Sequence, residues 1–294
     1  MPLHGLVPVL ATPFTDDGAL DPDGLHRLTE FQLESGATGL AVFGMASEGF
    51  AITDTERSTI LRVVRAAAGA RMPLVAGVNA TSTATAITQA QAAIDDGADV
   101  LMVLPPYLVK PSAGQLLDFY GAVAERSGVP VMVQDAPAST GVSIPIALAT
   151  ELSKLDGVTA IKVEAAPTAP KIAQVVAATA TDFAVFGGLN ALFCLEEYEC
   201  GAVGTMPACE FTDLLAPILL DWEHGNHDRA HAAFTGLLPL IRFGMQPGIA
   251  YAIHKEVLTR RGIIRSPAVR LPATALDPAS RSALDRILRP LTLC

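Results

Sequence analysis

The chain has 294 residues, of which 50% are hydrophobic and 17% charged, and its 30 acidic against 20 basic side chains give a formal net charge of −10. This composition excludes an intrinsically disordered chain, and no stretch reaches the roughly 18 apolar residues that a membrane helix needs. Because an acidic protein offers no cationic surface to phosphates or anionic lipids, we expect neither a nucleic acid nor a membrane as a partner.

The cysteine spacing and the first five residues indicate in which cellular compartment the protein lies. The four cysteines form no C-x-x-C pair, and residues 1–5 lack the basic start of a signal peptide. We therefore expect a cytoplasmic protein with reduced thiols.

Short runs rich in valine, leucine and isoleucine recur along the chain, as is typical of strands buried on both faces of a parallel sheet. Longer amphipathic stretches separate them. The first opens at Asp21 and Pro22, and the second opens with a capping box from Thr53 to Glu56. The apolar runs are residues 6–9, 39–43, 74–78, 100–104, 131–133, 158–163, 183–186 and 202–205.

This alternation of strand and helix predicts an α/β fold, a (β/α)8 TIM barrel, over residues 1–225. Beyond it only helical patterns follow, at residues 228–243, 248–261 and 278–288. We therefore expect residues 226–294 to form a C-terminal helical extension that packs on the barrel.

Lys162 interrupts the apolar run at residues 158–163. Reactive groups of such barrels lie at the C-terminal ends of the strands, and a desolvated ammonium is costly there. A neutral amine attacks ketones to form a Schiff base, which makes Lys162 a candidate nucleophile. The alternative is a lysine that extends past the strand end or pairs with a neighbouring carboxylate.

Glu164 is the first candidate partner of Lys162. Residues two apart on a strand face the same side, so both side chains are expected at the mouth of the barrel. Glu164 could serve there as an acid/base or as a structural counter-ion, and the residues alone leave both open.

Signals for cofactors are absent from the sequence. No G-x-G-x-x-G or G-x-x-x-x-G-K-[ST] motif follows a strand, which disfavours NAD and ATP. His224, His227 and His231 lie in a polar stretch without the acid of a zinc-binding helix motif. We expect no cofactor and no metal.

The strand ends carry a series of short motifs that together resemble one family, the dihydrodipicolinate synthase and N-acetylneuraminate lyase family of class I Schiff-base lyases. The resemblance covers essentially the whole chain. It implies a barrel in which Lys162 forms an imine with the ketone of a small 2-keto acid substrate such as pyruvate, and a homotetramer built as a dimer of dimers. The motifs are, in order, Thr12-Pro13-Phe14, residues 44–48, Pro106-Tyr107, Lys110-Pro111, Pro137, Gly141 and Ile161-Lys162.

Several positions depart from the synthases of that family. Their members use a tyrosine where this chain has Gln134, and an amide cannot move the proton that a phenol moves. The chain also has Met45, Leu108 and Ser139 where the synthases have a threonine, a second tyrosine and an arginine. We therefore expect that the chain is not a true dihydrodipicolinate synthase.

Residues 47–52, 132–139 and 162–164 resemble a narrower branch, the 2-keto-3-deoxy-L-arabinonate dehydratases. That resemblance implies a hydro-lyase. Lys162 would condense with C2 of the substrate, a base would take a C3 proton and the 4-hydroxyl would leave with a proton from Glu164. Tautomerisation and hydrolysis would release α-ketoglutarate semialdehyde. The residues expected to bind or enclose the substrate are Thr12, Ala46, Ser47, Glu48, Tyr107, Gln134 and Gly188.

Alternatives remain open at two levels. Tyr107 could be packing at the barrel mouth, Gln134 could only hydrogen-bond the substrate, and Glu48 could be a helix-start or subunit contact. The function could instead be that of a pyruvate-dependent aldolase of the same family, or of a non-catalytic barrel that binds a keto acid. An intact lysine in the sixth strand argues against the non-catalytic reading.

Overall fold

Eight short parallel strands lie side by side in the computed structural model, which describes residues 3–70, 72–291 and 293. Each strand pairs with its sequence neighbours, from β2 through to β8, and β8 pairs with β1. A parallel bridge between Val9 and Ala41 joins the first strand region to β2 and closes the barrel. The strands are β1 (Gly5–Leu6), β2 (Leu40–Val42), β3 (Leu74–Val78), β4 (Val100–Val103), β5 (Val131–Asp135), β6 (Val158–Val163), β7 (Ala184–Gly187) and β8 (Gly204–Thr205).

Helices separate the strands and surround them, so the predicted (β/α)8 barrel with a C-terminal helical part is confirmed. The helices in the barrel part are α1 (Pro22–Glu34), α2 (Asp54–Ala68), α3 (Thr83–Asp95), α4 (Ala113–Ser127), α5 (Pro137–Thr140), α6 (Ile146–Leu152), α7 (Thr168–Ala178), α8 (Cys194–Glu199) and α9 (Thr212–Glu223). They are followed by α10 (His227–Phe243), α11 (Ala250–Arg260) and α12 (Pro278–Leu288).

The strands are apolar on both faces because both faces are buried. One set of side chains fills the inside of the barrel, among them Met102, Met132, Ala160 and Phe186. The alternate residues, such as Ile161, pack outward against the helices. This alternation also directs the side chain of Lys162, two residues after Ala160, toward the inside of the barrel.

The first strand is shorter than the apolar run at residues 6–9 suggests. The described strand ends at Leu6, and Val9 makes only isolated bridges. Pro8 explains the interruption, because proline has no backbone N–H to donate to a sheet ladder.

Local signals define the helix ends well. The capping box that opens α2 is present: the Thr53 side chain accepts from the Glu56 N–H, and the Glu56 carboxylate accepts from the Thr53 N–H. Asp21 caps α1 with a single hydrogen bond, which its side chain accepts from the Gly24 N–H, and Pro22 occupies the first helical position.

The three helices that follow the barrel share an apolar core with its last elements. Leu240 of α10, Ile253 of α11 and Leu284 of α12 are buried in one cluster with Leu195 of α8 and Ile218 of α9. The division of the chain between residues 225 and 226 stays a prediction.

Three further observations concern only the described part of the chain. Cys194, Cys200 and Cys209 carry free thiols, whereas Cys294 and the first two residues lie outside it. No helix among these residues is long and apolar enough to cross a membrane. No group of three or more histidine, cysteine, aspartate or glutamate side chains among them could hold a metal ion.

Candidate active site

Lys162 and Glu164 lie together at the C-terminal end of β6. The Lys162 Nζ is 3.3 Å from a carboxylate oxygen of Glu164, and the lysine side chain is only 2% exposed. Gln134 stands opposite Lys162 in the neighbouring strand β5, and its Nε2 donates to the other Glu164 oxygen at 2.8 Å. One carboxylate oxygen thus lies beside the lysine nitrogen, and the other accepts a hydrogen bond from the amide. These two contacts orient the carboxylate next to the amine.

Gly188 closes this group from the adjacent strand. A Cβ at this position would lie 2.4 Å from the Glu164 Cγ and 3.0 Å from the Lys162 Cε. Any side chain at position 188 would therefore displace the carboxylate or the amine. The sequence prediction placed Gly188 beside the substrate, and the absence of a side chain at this position makes room for the carboxylate and the amine.

Burial raises the pKa of another carboxyl group near Glu164. Glu197 of α8 is fully buried, and burial raises its pKa to about 7 from an ordinary value of 4.5. Its Oε2 occupies the space that a Cβ on Gly187 would need, at 1.9 Å. Because Glu197 is largely neutral only well below this pKa, it adds little negative charge near Glu164 in acidic solution.

Thr12 and Ser47 hold the loop after β2 in place. The Thr12 hydroxyl donates to the Ser47 carbonyl at 2.7 Å, and the Ser47 hydroxyl donates to the Leu10 carbonyl at 2.6 Å. Both side chains are buried. They tie the end of the first strand region to residues 45–47, and Ala46 of that segment lines the cavity above Lys162.

Glu48 points away from Lys162 toward the C-terminal helices. Its carboxylate pairs with the ammonium of Lys255 on α11 and accepts from the backbone N–H of Arg270 at 2.9 Å. Burial lowers the pKa of Lys255 to about 8, with Glu48 opposing the shift. Both ions are fully buried, and the Lys255 ammonium also lies 3.9 Å from the centre of the Phe14 ring. The substrate-binding role predicted for Glu48 stays a prediction.

Arg270 fastens the segment after α11 to the barrel. Its guanidinium forms two hydrogen bonds with the Glu56 carboxylate, at 2.6 and 2.8 Å, and donates to the carbonyls of Gly18 and Ala51. The Arg270 guanidinium holds the pKa of Glu56 at about 2, below its ordinary 4.5. This pairing therefore stabilises the fold above pH 4.5, and the contribution is lost as the pH falls from 4.5 to 2.

Arg270→Gln is expected to be less stable than the wild type at neutral pH, and the difference should shrink by about 1 kcal/mol between pH 5 and pH 2, since solvent screens part of the pair. Urea unfolding at several pH values measures it. Arg229→Gln is the matched control, because Arg229 pairs with Asp221 while 76% exposed. A difference that stays constant from pH 5 to pH 2 would contradict the proposed linkage.

A cavity of about 160 Å³ lies above Lys162 and Glu164. Its opposite wall comes from elements that the sequence did not predict to belong to the site, above all helix α11. Tyr251 and His254 of α11 line it, with Asn190 and Met206 from the ends of β7 and β8. Burial raises the pKa of the Tyr251 phenol, so this hydroxyl remains a proton donor at neutral pH.

Tyr107 lines a second, larger cavity of about 490 Å³ rather than the one above Lys162. Met45 and Tyr251 line both cavities, so the two are neighbours. Of the predicted site residues, Lys162, Glu164, Gln134 and Gly188 come together directly. The others are placed around that group: Thr12 and Ser47 support it, Ala46 lines its cavity, Glu48 faces α11 and Tyr107 lies beyond Met45.

Five residues near the cavity were not predicted from the sequence: His254, Glu210, Tyr251, Lys255 and Arg270. None lies in a recognisable motif, and each becomes informative only through a contact with a distant part of the chain. Glu210 and His254, for example, are 44 positions apart and hydrogen-bonded at 2.7 Å. The one available signal was the presence of charged and aromatic residues in an otherwise apolar helix, residues 250–260.

Known proteins resemble this chain in sequence and in fold. Residues 2–291 match the model of the dihydrodipicolinate synthetase family. The chain is 33% identical to L-2-keto-3-deoxyarabonate dehydratase from Azospirillum brasilense, over 99% of this chain and 97% of that protein. It is 38% identical to 4-hydroxy-tetrahydrodipicolinate synthase from Stenotrophomonas maltophilia (strain R551-3), over 64% of this chain and 63% of that protein. The crystal structure of dihydrodipicolinate synthase from Thermotoga maritima superposes with a TM-score of 0.94 at 24% identity, with both chains fully covered.

Proposed function

Since the chain belongs to the dihydrodipicolinate synthetase family, we propose that it is a Schiff-base-forming hydro-lyase that dehydrates a 2-keto-3-deoxy sugar acid. The substrate that we propose is 2-keto-3-deoxy-L-arabinonate, and the product is α-ketoglutarate semialdehyde. The full-length similarity to a dehydratase of this substrate supports the choice.

The observation that carries the proposal is the contact between Lys162, Glu164 and Gln134. A carboxylate lies 3.3 Å from the amine, and an amide rather than a phenol holds it. An imine on Lys162 would place C3 and C4 of the substrate beside this carboxylate. Acid/base groups act within hydrogen-bond reach of the atoms that exchange protons, so the arrangement suits an elimination next to the imine.

In the proposed reaction the Lys162 amine attacks C2 of the keto acid, and loss of water gives an imine. Glu164 takes a proton from C3, and the electron pair forms an enamine. The C4–O bond then breaks with a proton supplied by Glu164, and a second water leaves. The carboxylate that accepts the first proton is thus the acid that donates it.

The amide side chain of Gln134 distinguishes the proposed dehydratase from an enzyme that synthesises 4-hydroxy-tetrahydrodipicolinate. We propose that the chain is not a true dihydrodipicolinate synthase, because an amide has no proton that it can transfer at neutral pH. In the dehydratase an amide suffices, since it has only to orient the Glu164 carboxylate.

The experiment that tests the proposal is a proton NMR time course with 2-keto-3-deoxy-L-arabinonate, with borohydride trapping and intact mass on a parallel aliquot. We expect α-ketoglutarate semialdehyde and a reduced adduct on Lys162. Pyruvate and glycolaldehyde would instead assign the protein to the aldolases. An unchanged substrate would refute the assigned substrate, and absence of any adduct with 2-keto acids would refute the Schiff-base chemistry.

A homotetramer and a cytoplasmic location complete the proposal. Leu108 and Val109, in the loop after β4, are 76% and 77% exposed, and apolar side chains so placed favour a contact between copies. Light scattering of the purified protein tests the tetramer, and a monomeric mass would refute it. The free thiols of the described cysteines support a reducing compartment.

A further inference from the structure

A histidine and a glutamate form a buried pair in the wall of the cavity opposite Lys162. His254 of α11 lines that cavity and is 4% exposed, and its Nδ1 lies 2.7 Å from a carboxylate oxygen of Glu210, which is fully buried. Neither residue takes part in the imine chemistry described above. A buried histidine with an acidic partner that faces a reaction cavity is a typical arrangement for proton transfer.

The Glu210 carboxylate determines which ring nitrogen is free. A carboxylate only accepts hydrogen bonds, so the Nδ1–H of His254 donates to it. In the neutral ring Nε2 then carries the lone pair. No hydrogen bond within the described residues engages Nε2, so it is available to accept a proton from a molecule in the cavity.

The ring is also held in a fixed position. A Cβ on Gly244 would lie 3.0 Å from the His254 Cε1 and 3.2 Å from the Asn190 Nδ2, so this glycine lets both side chains approach closely. Asn190 itself accepts from the Ala208 N–H at 2.9 Å and donates to the Ile241 carbonyl. The proton acceptor is therefore preorganised at the cavity wall.

The proposed reaction needs a proton acceptor at a distance from the imine. Loss of the 4-hydroxyl leaves an iminium at C2, a double bond between C3 and C4, and an alcohol at C5. C5 is three bonds from C2, about 4 Å away, and is the reacting carbon farthest from the imine. Conversion of this alcohol to the aldehyde requires removal of a C5 proton.

We propose that His254, oriented by Glu210, is the catalytic base that removes this C5 proton, an inference that rests on the proposed function. The C5–H electron pair becomes the C4–C5 double bond, the C3–C4 pair moves to C2–C3, and the iminium pair returns to nitrogen. C3 then takes up one proton. The resulting enol takes up another at C4 and loses its O–H proton to form the aldehyde. C5 is oxidised and C4 is reduced within one molecule, so no external oxidant takes part.

The test compares His254→Gln with His26→Gln, a matched control in which a histidine paired with Glu30 on the surface is changed in the same way. Each protein reacts with 2-keto-3-deoxy-L-arabinonate and with the same acid deuterated at C5. Borohydride is added at intervals, and the mass of the adduct on Lys162 is recorded.

For His254→Gln we expect release of α-ketoglutarate semialdehyde to slow by at least about tenfold, with a larger deuterium effect from C5. An adduct one water lighter than the reduced substrate adduct should accumulate on Lys162. The wild type and His26→Gln should show little of it. A purely structural role of His254 would not produce this dehydrated adduct or the C5 isotope effect.

Three outcomes would overturn the inference. His254→Gln could release product at the wild-type rate. Alternatively, it could fold normally by circular dichroism, release product slowly and accumulate no dehydrated adduct on Lys162. Either would refute the role of His254 alone. A wild type that leaves the acid unchanged would refute the proposed function and this role with it. If His254→Gln does not fold, Glu210→Gln tests the same step, because it keeps a hydrogen-bond partner for the ring.

Discussion

Lys162→Ala is expected to abolish the borohydride-trapped adduct and to reduce turnover by about 1000-fold or more, since no other lysine among the described residues lines this cavity. Lys162 is 2% exposed and lies next to Glu164, and both residues line the cavity. Truncation of Lys162 therefore removes the amine that faces the cavity beside the carboxylate. Intact mass after borohydride treatment and an NMR time course measure the two effects.

The matched control for Lys162→Ala is Lys154→Ala, because Lys154 pairs with Glu151 on the surface and is 62% exposed. An adduct that persists in Lys162→Ala would place the covalent chemistry on a different amine. Ligand binding that is unchanged by Lys162→Ala, together with no turnover in the wild type, would support a non-catalytic keto-acid-binding barrel instead.

Much of the barrel was predictable because its signals are local. The third and sixth apolar runs coincide with β3 and β6, and the capping box at Thr53 opens α2 at the expected residue. The period of two along a strand then places Glu164 beside Lys162, and their contact at 3.3 Å follows from that periodicity. Neighbouring residues in the sequence are enough to predict these strands, the start of α2 and the Lys162–Glu164 contact.

The wall opposite Lys162 was not predictable in this way. Helix α11 carries Tyr251, His254 and Lys255, and its mixture of apolar and polar residues gives no sign of which surface it will cover. Lys255 meets Glu48 only because the chain after the barrel returns over the loop that follows β2. Contacts between residues some 200 positions apart depend on the packing of whole elements, which a pattern within one element does not contain.

Glu48 illustrates how a motif leaves the direction of a side chain open. Its place in residues 44–48, at the end of a strand, predicts a loop near the substrate, but the sequence leaves open whether the side chain makes a helix-start or subunit contact instead. Its backbone has a positive φ of 55°, and the side chain faces Lys255 and Arg270. An isolated buried charge would be very costly, so this carboxylate and the Lys255 ammonium stabilise one another.

In the proposed mechanism Lys162 and Glu164 act at different bonds, so their roles can be separated. The imine would form on the lysine nitrogen, whereas the carboxylate would handle the protons at C3 and at the 4-hydroxyl. The Gln134 amide, which donates to Glu164 at 2.8 Å, keeps the carboxylate oriented without replacing it as a proton carrier. A variant that lacks only the carboxylate should therefore stop the reaction after the adduct forms.

Glu164→Gln is expected to form the adduct on Lys162 while turnover falls by about 100-fold or more, the usual effect of losing a general acid/base. The substitution keeps the size of the side chain, so the cavity and Gly188 are little disturbed. The control is Glu196→Gln, because Glu196 is an exposed carboxylate on α8. The NMR time course gives turnover, and borohydride trapping gives the adduct. Unchanged turnover would remove Glu164 from the mechanism, whereas loss of the adduct would show that the carboxylate is needed already for imine formation.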